Sequence, residues 1–185
     1  MIELRSNFFI LTGASGSGKS SIIAALKARG QVCVEEIGRQ VVRDQVRIGT
    51  DATPWQNPAR FMELLLARSI QAYESVEERS LPVFFDRGLP ETIGHARLLE
   101  PAAAAPFFQA AATHRYHRTV FFTPPWREIY VTDAERRHSF EEGVAGHRAE
   151  LAAYVECGYT LVEVPKDSIN ARVDFILQRV REIRP

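Results

Sequence analysis

FFILTGASGSGKSS, residues 8–21, decides the fold. Phe8 to Leu11 form a short apolar run of the kind that makes a buried strand. Directly after it, Gly13, Gly18, Lys19 and Ser20 match G-x-x-x-x-G-K-[ST]. Ile22, Ile23 and Leu26 then give the following segment a helical stripe, and Gly30 is placed to end it. A chance match in a chain this long is on the order of one in a hundred, and the strand-to-helix position lowers the odds further.

The physical reading of this stretch is a cradle for phosphate. Glycines let backbone N–H groups curl around anionic oxygens, and the next helix presents the positive end of its dipole. Gly13, Ala14, Ser15, Gly16, Ser17, Gly18, Lys19, Ser20 and Ser21 are therefore the expected binding residues for ATP or GTP. Lys19 bridges the terminal phosphates, and Ser20 offers its hydroxyl to a magnesium ion, Mg2+.

Working outward, four more apolar runs recur: Val32 to Val34, Val83 to Phe85, Thr119 to Phe122 and Thr160 to Val164. Helical periodicity fills the gaps. One helix is expected from Glu36 to about Arg47. A long one is capped by Asn57 and Pro58 and lined by Met62, Leu66, Ile70 and Tyr73. An Ala-rich helix is expected from Pro101 to about Thr113, broken or restarted at Pro106, and another spans Phe140 to Tyr154 and is closed by Gly158. The last carries Val173, Ile176, Leu177 and Val180, with Asp167 or Ser168 as its cap. Strand and helix alternating along a whole chain predict an α/β fold: a five-stranded parallel sheet with helices on both faces, in three layers. The 185 residues suit a single domain, 1–185, with a charge-rich segment at about 124–145 expected to be a mobile lid.

Composition narrows the partners. Lys plus Arg equals Asp plus Glu at 23 each, which argues against nonspecific binding to nucleic acid. The cluster His114, Arg115, His117 and Arg118 reads as a solvated loop entering a strand. Two distant cysteines, Cys33 and Cys157, point to free thiols in the cytoplasm. No apolar stretch reaches membrane-spanning length, and no signal peptide is apparent before Phe8.

Catalysis would need an acid beside the metal and a group to take a proton. Asp86 ends the third run, at the sheet edge where ligands bind in such folds, and is the expected second metal-side group; its alternative is a cap for a helix near Pro90. Glu35 and Glu36 end the second run, and either can serve as base. Glu36, Arg39 and Arg43 share a helix face that meets an anionic or sugar-like acceptor, or else form a solvated ion-pair ladder. Asp133, Arg136 and Arg137 lie in the lid. One arginine is expected over the terminal phosphate, although Asp133 can equally cap a helix with both arginines solvated.

With GASGSGKS at 13–20, EEIGRQ at 35–40, FFDRG at 84–88, TDAERR at 132–137 and YVECGYTLVEVP at 154–165, the chain resembles small P-loop ATPases that carry an AAA-domain label and are built like nucleoside and nucleotide kinases. It is similar to the ribosylnicotinamide-kinase type and, more distantly, to deoxynucleoside and thymidylate kinases. The resemblance implies a P-loop NTPase fold with strand order 2-3-1-4-5, Glu35 or Glu36 as acceptor-side base, Asp86 and Arg87 as the acid-arginine pair near magnesium, and Arg136 or Arg137 as lid arginines. It implies transfer of a terminal phosphate to a small hydroxyl-bearing acceptor. It does not carry over the acceptor itself, because no known pocket signature stands between Gly49 and Arg60. A nucleotide-dependent switch and a simple NTPase are the alternative functions.

Overall fold

In a computed structural model the described residues are 3–78, 80–99, 104–131 and 139–183. In chain order, β1 (Glu3–Leu4) and β2 (Phe8–Gly13) precede α1 (Lys19–Ala28), and β3 (Val32–Val34) leads into α2 (Ile37–Ile48) and α3 (Pro58–Ser75). Next come β4 (Val83–Asp86), α4 (Leu89–Leu99), α5 (Ala105–Thr113), β5 (His114–Arg115) and β6 (Thr119–Thr123). After a 3-10 turn at Arg127–Ile129 follow α6 (Phe140–Glu156), β7 (Thr160–Glu163) and α7 (Ile169–Ile183).

The main sheet is parallel throughout and ordered β3-β4-β2-β6-β7. Its neighbours are those expected for five sheet strands. Counting the unforeseen β5 as well, and starting from β2, the order reads 2-3-1-5-6. β5 pairs in parallel with β1, so His114 and Arg115 are not the loop expected from their charge. Phe8, Tyr116 and Tyr159 explain why: Arg115 lies over the Tyr159 ring at 4.3 Å, and His117 N donates to Phe8 O.

Alternation along β2 builds two cores. All six of its residues are buried, as a central parallel strand requires, and successive side chains point to opposite faces. Phe8 and Ile10 join Val83, Phe85 and Val120 beneath α3, α4 and α6. Phe9 and Leu11 join Phe84 and Phe121 beneath α1 and α7, which supply Ile22, Leu26, Val173 and Ile176. Each fully buried side chain of this kind contributes roughly 1.5–3 kcal/mol.

Helix ends follow local chemistry. The Asn57 side chain accepts from Arg60 N, with Pro58 at the first helical position, and Ser139 with Glu142 forms a reciprocal capping box for α6. For α7 the alternatives resolve to Ser168, whose Oγ accepts from Ala171 N, while Asp167 holds Ser168 N. α5 begins at Ala105 with Pro106 in its first turn, where a missing N–H costs nothing, which is the restart expected there; residues 101–103 lie outside the described residues. Cys33 and Cys157 are free and half-buried, and burial raises the Cys33 thiol to about 11. Among the described residues no helix is long and apolar enough to cross a membrane.

Because all five strands run the same way, Gly13, Val34, Asp86 and Thr123 come to one edge of the sheet. β2 and β6 approach closely there: a Cβ on Gly13 would lie 2.5 Å from Thr123 O and 2.6 Å from Thr123 N, and Gly13 has φ +140°. Gly13→Ala is therefore expected to destabilise the fold by about 3 kcal/mol, from backbone strain and overpacking together. Urea unfolding measures this, and an unchanged midpoint would contradict the close approach.

Candidate active site

The loop between β2 and α1 is shaped by three glycines in left-handed conformations: Gly13, Gly16 at φ +75° and Gly18 at φ +87°. Ala14 N donates to Thr123 O, and Ser17 Oγ donates to Ala14 O while sharing a 2.5 Å bond with Thr123 Oγ1. These contacts fasten the loop to β6. α1 starts at Lys19 without a side-chain cap and without an acidic residue in its first turn, so its amide end suits an anion. Lys19 is buried, and its Nζ donates to Gly13 O at 2.6 Å and Ala14 O at 3.0 Å. Burial, helped by the nearby Arg87 charge, lowers its pKa to about 8, even though Asp86, Glu36 and Glu150 pull it the other way. Ser20, at the start of α1, is exposed and lines the same cavity.

Opposite the loop, the ends of β3 and β4 carry the acids. Both glutamates line the cavity, but their partners and exposure differ. Glu35 turns outward to Lys27 Nζ at 2.5 Å and is 61% exposed, whereas Glu36 turns inward, where its Oε1 lies 3.3 Å from Arg87 Nε. Burial pushes the Glu36 carboxyl up, but Arg87, Lys19 and Arg39 outweigh it and hold the group below its usual range. Arg39 stands 3.4 Å from Glu36 and lines the cavity. Arg43, grouped with them by helical spacing, is exposed and does not line it, because it lies about two turns farther along α2, away from the sheet edge.

Asp86 is 6% exposed, and its Oδ1 has no hydrogen-bond partner among the described residues. Burial raises its pKa, with Lys19 opposing. A buried acceptor without a donor is uncommon in folded proteins. Asp133, Arg136 and Arg137 lie outside the described residues. Of the expected lid, the described parts are the 3-10 turn and the first turns of α6, from which Trp126, Ile129, Glu142 and Gly143 line the cavity.

Arg87 is the centre of a charge cluster that the sequence reading found only in part. It is a non-glycine residue at φ +73°, a conformation that costs on the order of 1–3 kcal/mol. Its guanidinium pairs with Glu91 one turn along α4, with Glu36, and with Glu150 of α6 at 3.3 Å. Glu91 in turn accepts from Thr12 Oγ1 at 2.6 Å and from Tyr154 OH at 3.1 Å. Burial would disfavour the guanidinium, but the surrounding carboxylates raise its pKa above the ordinary value. The Arg87 and Glu91 spacing of four was a readable signal. Glu150 and His147 had none, since α6 reaches the site only through tertiary packing. His95 Nε2 lies 3.7 Å from Glu150, and burial lowers its pKa. Burial also lowers His147 to about 4, so its ring is neutral at pH 7.

One cavity of about 1010 Å³ joins these groups. Its glycine-loop end is formed by Ser15, Gly16, Gly18, Lys19, Ser20 and Ser21 with Trp126, Asp167 and Arg172. Its far end is walled by Val34, Trp55, Phe61, Leu65, Phe85 and Tyr116. Arg87→Ala would leave Glu36, Glu91 and Glu150 buried without their shared cation, at an expected cost of about 3–5 kcal/mol near pH 7. In the native protein Glu36 and Glu150 titrate below their usual range, so their stabilisation is present above the unfolded carboxylate pKa and is lost on acidification through the folded values. In the variant the sign reverses, and its deficit should shrink as the pH falls from 7 towards 5. Thermal melts across that interval test this; a pH-independent deficit would contradict the cluster.

The fold is similar to that of the NadR protein in complex with NR, with a TM-score of 0.72 and 17% identity over 96% of this chain and 51% of that one. The chain thus spans about half of that protein's length. It is also similar to thymidylate kinase from Ehrlichia chaffeensis, at a TM-score of 0.60 and 17% identity over 95% of this chain and 98% of that one. For shikimate kinase from Aquifex aeolicus vf5 the TM-score is 0.54 and the identity 13%, over 94% and 96%. No curated protein matches the chain in sequence at a significant level. At these identities the likeness is one of fold, that of the P-loop kinases. A family model described as AAA domain matches residues 8–172, from the first sheet strand to Arg172, and the chain belongs to that family.

Proposed function

We propose that the protein is a phosphotransferase that moves the terminal phosphoryl group of ATP or GTP to a hydroxyl on a small molecule. The observation that carries this reading is the single cavity in which the glycine loop and Lys19 face Glu36 and Asp86, with a second, aromatic-walled half beyond them. A site that only hydrolysed nucleotide would have no use for that second half.

The residues fit a magnesium ion held mainly by phosphate oxygens and water. Ser20 supplies a hydroxyl and Asp86 an unpartnered carboxylate oxygen, while no group of three or more His, Cys, Asp or Glu among the described residues forms a cage. When bound, the metal neutralises charge on the terminal phosphates. Lys19 spans those phosphates, and the amides of Gly16, Gly18, Lys19 and Ser20 hold their oxygens, while those of Ala14 and Ser17 stay bonded within the fold. Glu36 accepts the acceptor hydroxyl's hydrogen bond, and takes the proton as the new O–P bond forms and the bond to the leaving diphosphate breaks. Arg136 or Arg137 is proposed to close over the transferring group.

Charge favours an acceptor without an anionic group. Around the far half of the cavity stand Glu36, Asp86, Glu91 and Glu150, and the cations there, Arg39 and Arg87, already face carboxylates. The aromatic walls suit a planar ring. A nucleoside or similar alcohol is favoured over an acceptor bearing phosphate or carboxylate.

A screen of nucleosides, nucleotides and vitamin-like alcohols with Mg-ATP and Mg-GTP tests the proposal by product phosphate. Acceptor-independent hydrolysis at the full rate would replace it with an NTPase, and tight binding without turnover would replace it with a switch. Lys19→Ala should weaken nucleotide affinity at least tenfold. Asp86→Asn and Glu36→Gln should lower kcat about 10²-fold or more with smaller changes in nucleotide affinity. Wild-type turnover in either variant would remove that residue from the chemistry.

The Lys19 titration adds a pH signature. Free Lys19 loses its proton above about pH 8, whereas the phosphates hold it protonated in the complex. Affinity should therefore fall by about tenfold per pH unit above 8 until the bound-state pKa is passed, with proton uptake on binding. Titration calorimetry in buffers of different ionisation enthalpy reads this directly, and flat affinity from pH 7 to 9.5 would contradict it.

A further inference from the structure

Arg172, in the first turns of α7, is among the largest fully buried side chains of the protein, at 2% exposure. Its Nη2 donates to Ser17 O at 2.9 Å. A Cβ on Gly18 would lie 2.8 Å from its Nη1, so the guanidinium packs directly against the loop at position 18, whose left-handed backbone favours glycine. Its Cζ stands 5.5 Å from the Trp126 ring centroid, and both residues line the glycine-loop end of the cavity. Among the described residues no carboxylate pairs with it, and its Nε has no hydrogen-bond partner. Burial lowers its pKa with no opposing charge.

A buried guanidinium held by one carbonyl and one aromatic face is a costly arrangement for mere packing. The peptide plane shows what it does. In a trans peptide the Ser17 carbonyl and the Gly18 N–H point in opposite directions, so a donor that holds Ser17 O at the rear of the loop turns the Gly18 N–H towards its front. The front is where the phosphates of the proposed function sit, and their negative charge is then the counter-charge that the described residues do not provide.

We propose that Arg172 is a positioning residue for the phosphate loop: it fixes the Ser17 to Gly18 peptide with its amide aimed at the polyphosphate and adds a positive charge directly behind it. The inference rests on the nucleotide-binding part of the reading above, and no step of it uses phosphoryl transfer. It therefore concerns polyphosphate recognition of any origin, with or without a base.

The test is binding of ATP and of inorganic tripolyphosphate, which has no base, to the wild type, Arg172→Ala and Arg172→Gln by titration calorimetry. Arg172→Ala should weaken both ligands at least tenfold and to a similar extent, and millimolar guanidinium should restore part of the loss for both. Arg172→Gln, which keeps a neutral donor for Ser17 O, should fall between the two. A folded Arg172→Ala protein that binds tripolyphosphate within twofold of wild type overturns the proposal, as does a loss confined to ATP, which would assign Arg172 to the base. Should the alanine variant not fold, the Nε resonance of Arg172 in labelled wild-type protein decides: it should shift on saturation with tripolyphosphate, and an unmoved resonance overturns the proposal. A wild type that binds neither ligand would overturn the functional reading with it.

Discussion

The Arg87 guanidinium ties together parts of the molecule that have no other reason to meet. It leaves β4 in a left-handed turn and is held by Glu36 at the start of α2, Glu91 in α4 and Glu150 in α6. Without that charge the carboxylates would repel one another across a poorly hydrated space; with it they stay ionised and fixed in place. The strain at Arg87 is thus offset locally, and Asp86, the residue before it, is held buried at the sheet edge among the residues that line the cavity. Tyr154 secures the same turn from behind by accepting from Gly88 N while donating to Glu91.

The phosphate loop is organised by a comparable economy of contacts. Its carbonyls are engaged from below by Lys19 and from behind by Arg172, while Thr123 fixes it to the next strand. Two buried cations beside one short loop make it an anion site before any ligand is considered.

Much of this was legible in the chain because it is local. The glycine loop, the apolar strands and the proline and asparagine at the start of α3 each declare themselves within a few residues, and Asp86 was placed at the sheet edge by the apolar run before it. What was not legible depends on distance. Glu35 and Glu36 are adjacent, and only the path of the chain into α2 decides that Glu36 turns inward. Arg43 has the helical spacing of its neighbours yet faces water. Glu150 and Arg172 lie in helices whose own patterns are ordinary, and they acquire their roles from strands and loops far away in sequence. β1 and β5 are too short for any periodicity, so their pairing rests on where Phe8 and Tyr116 pack.

The sheet also divides labour between its faces. The layer formed by α1 and α7 supports the phosphate loop and Arg172, whereas Phe61, Leu65, Phe85 and Tyr116 of the other layer wall the far half of the cavity. Substitutions on the second face can reshape what enters the pocket while the glycine loop stays intact on the first. Such a partition lets descendants of one ancestral scaffold diversify their chemistry by remodelling a single side of the molecule.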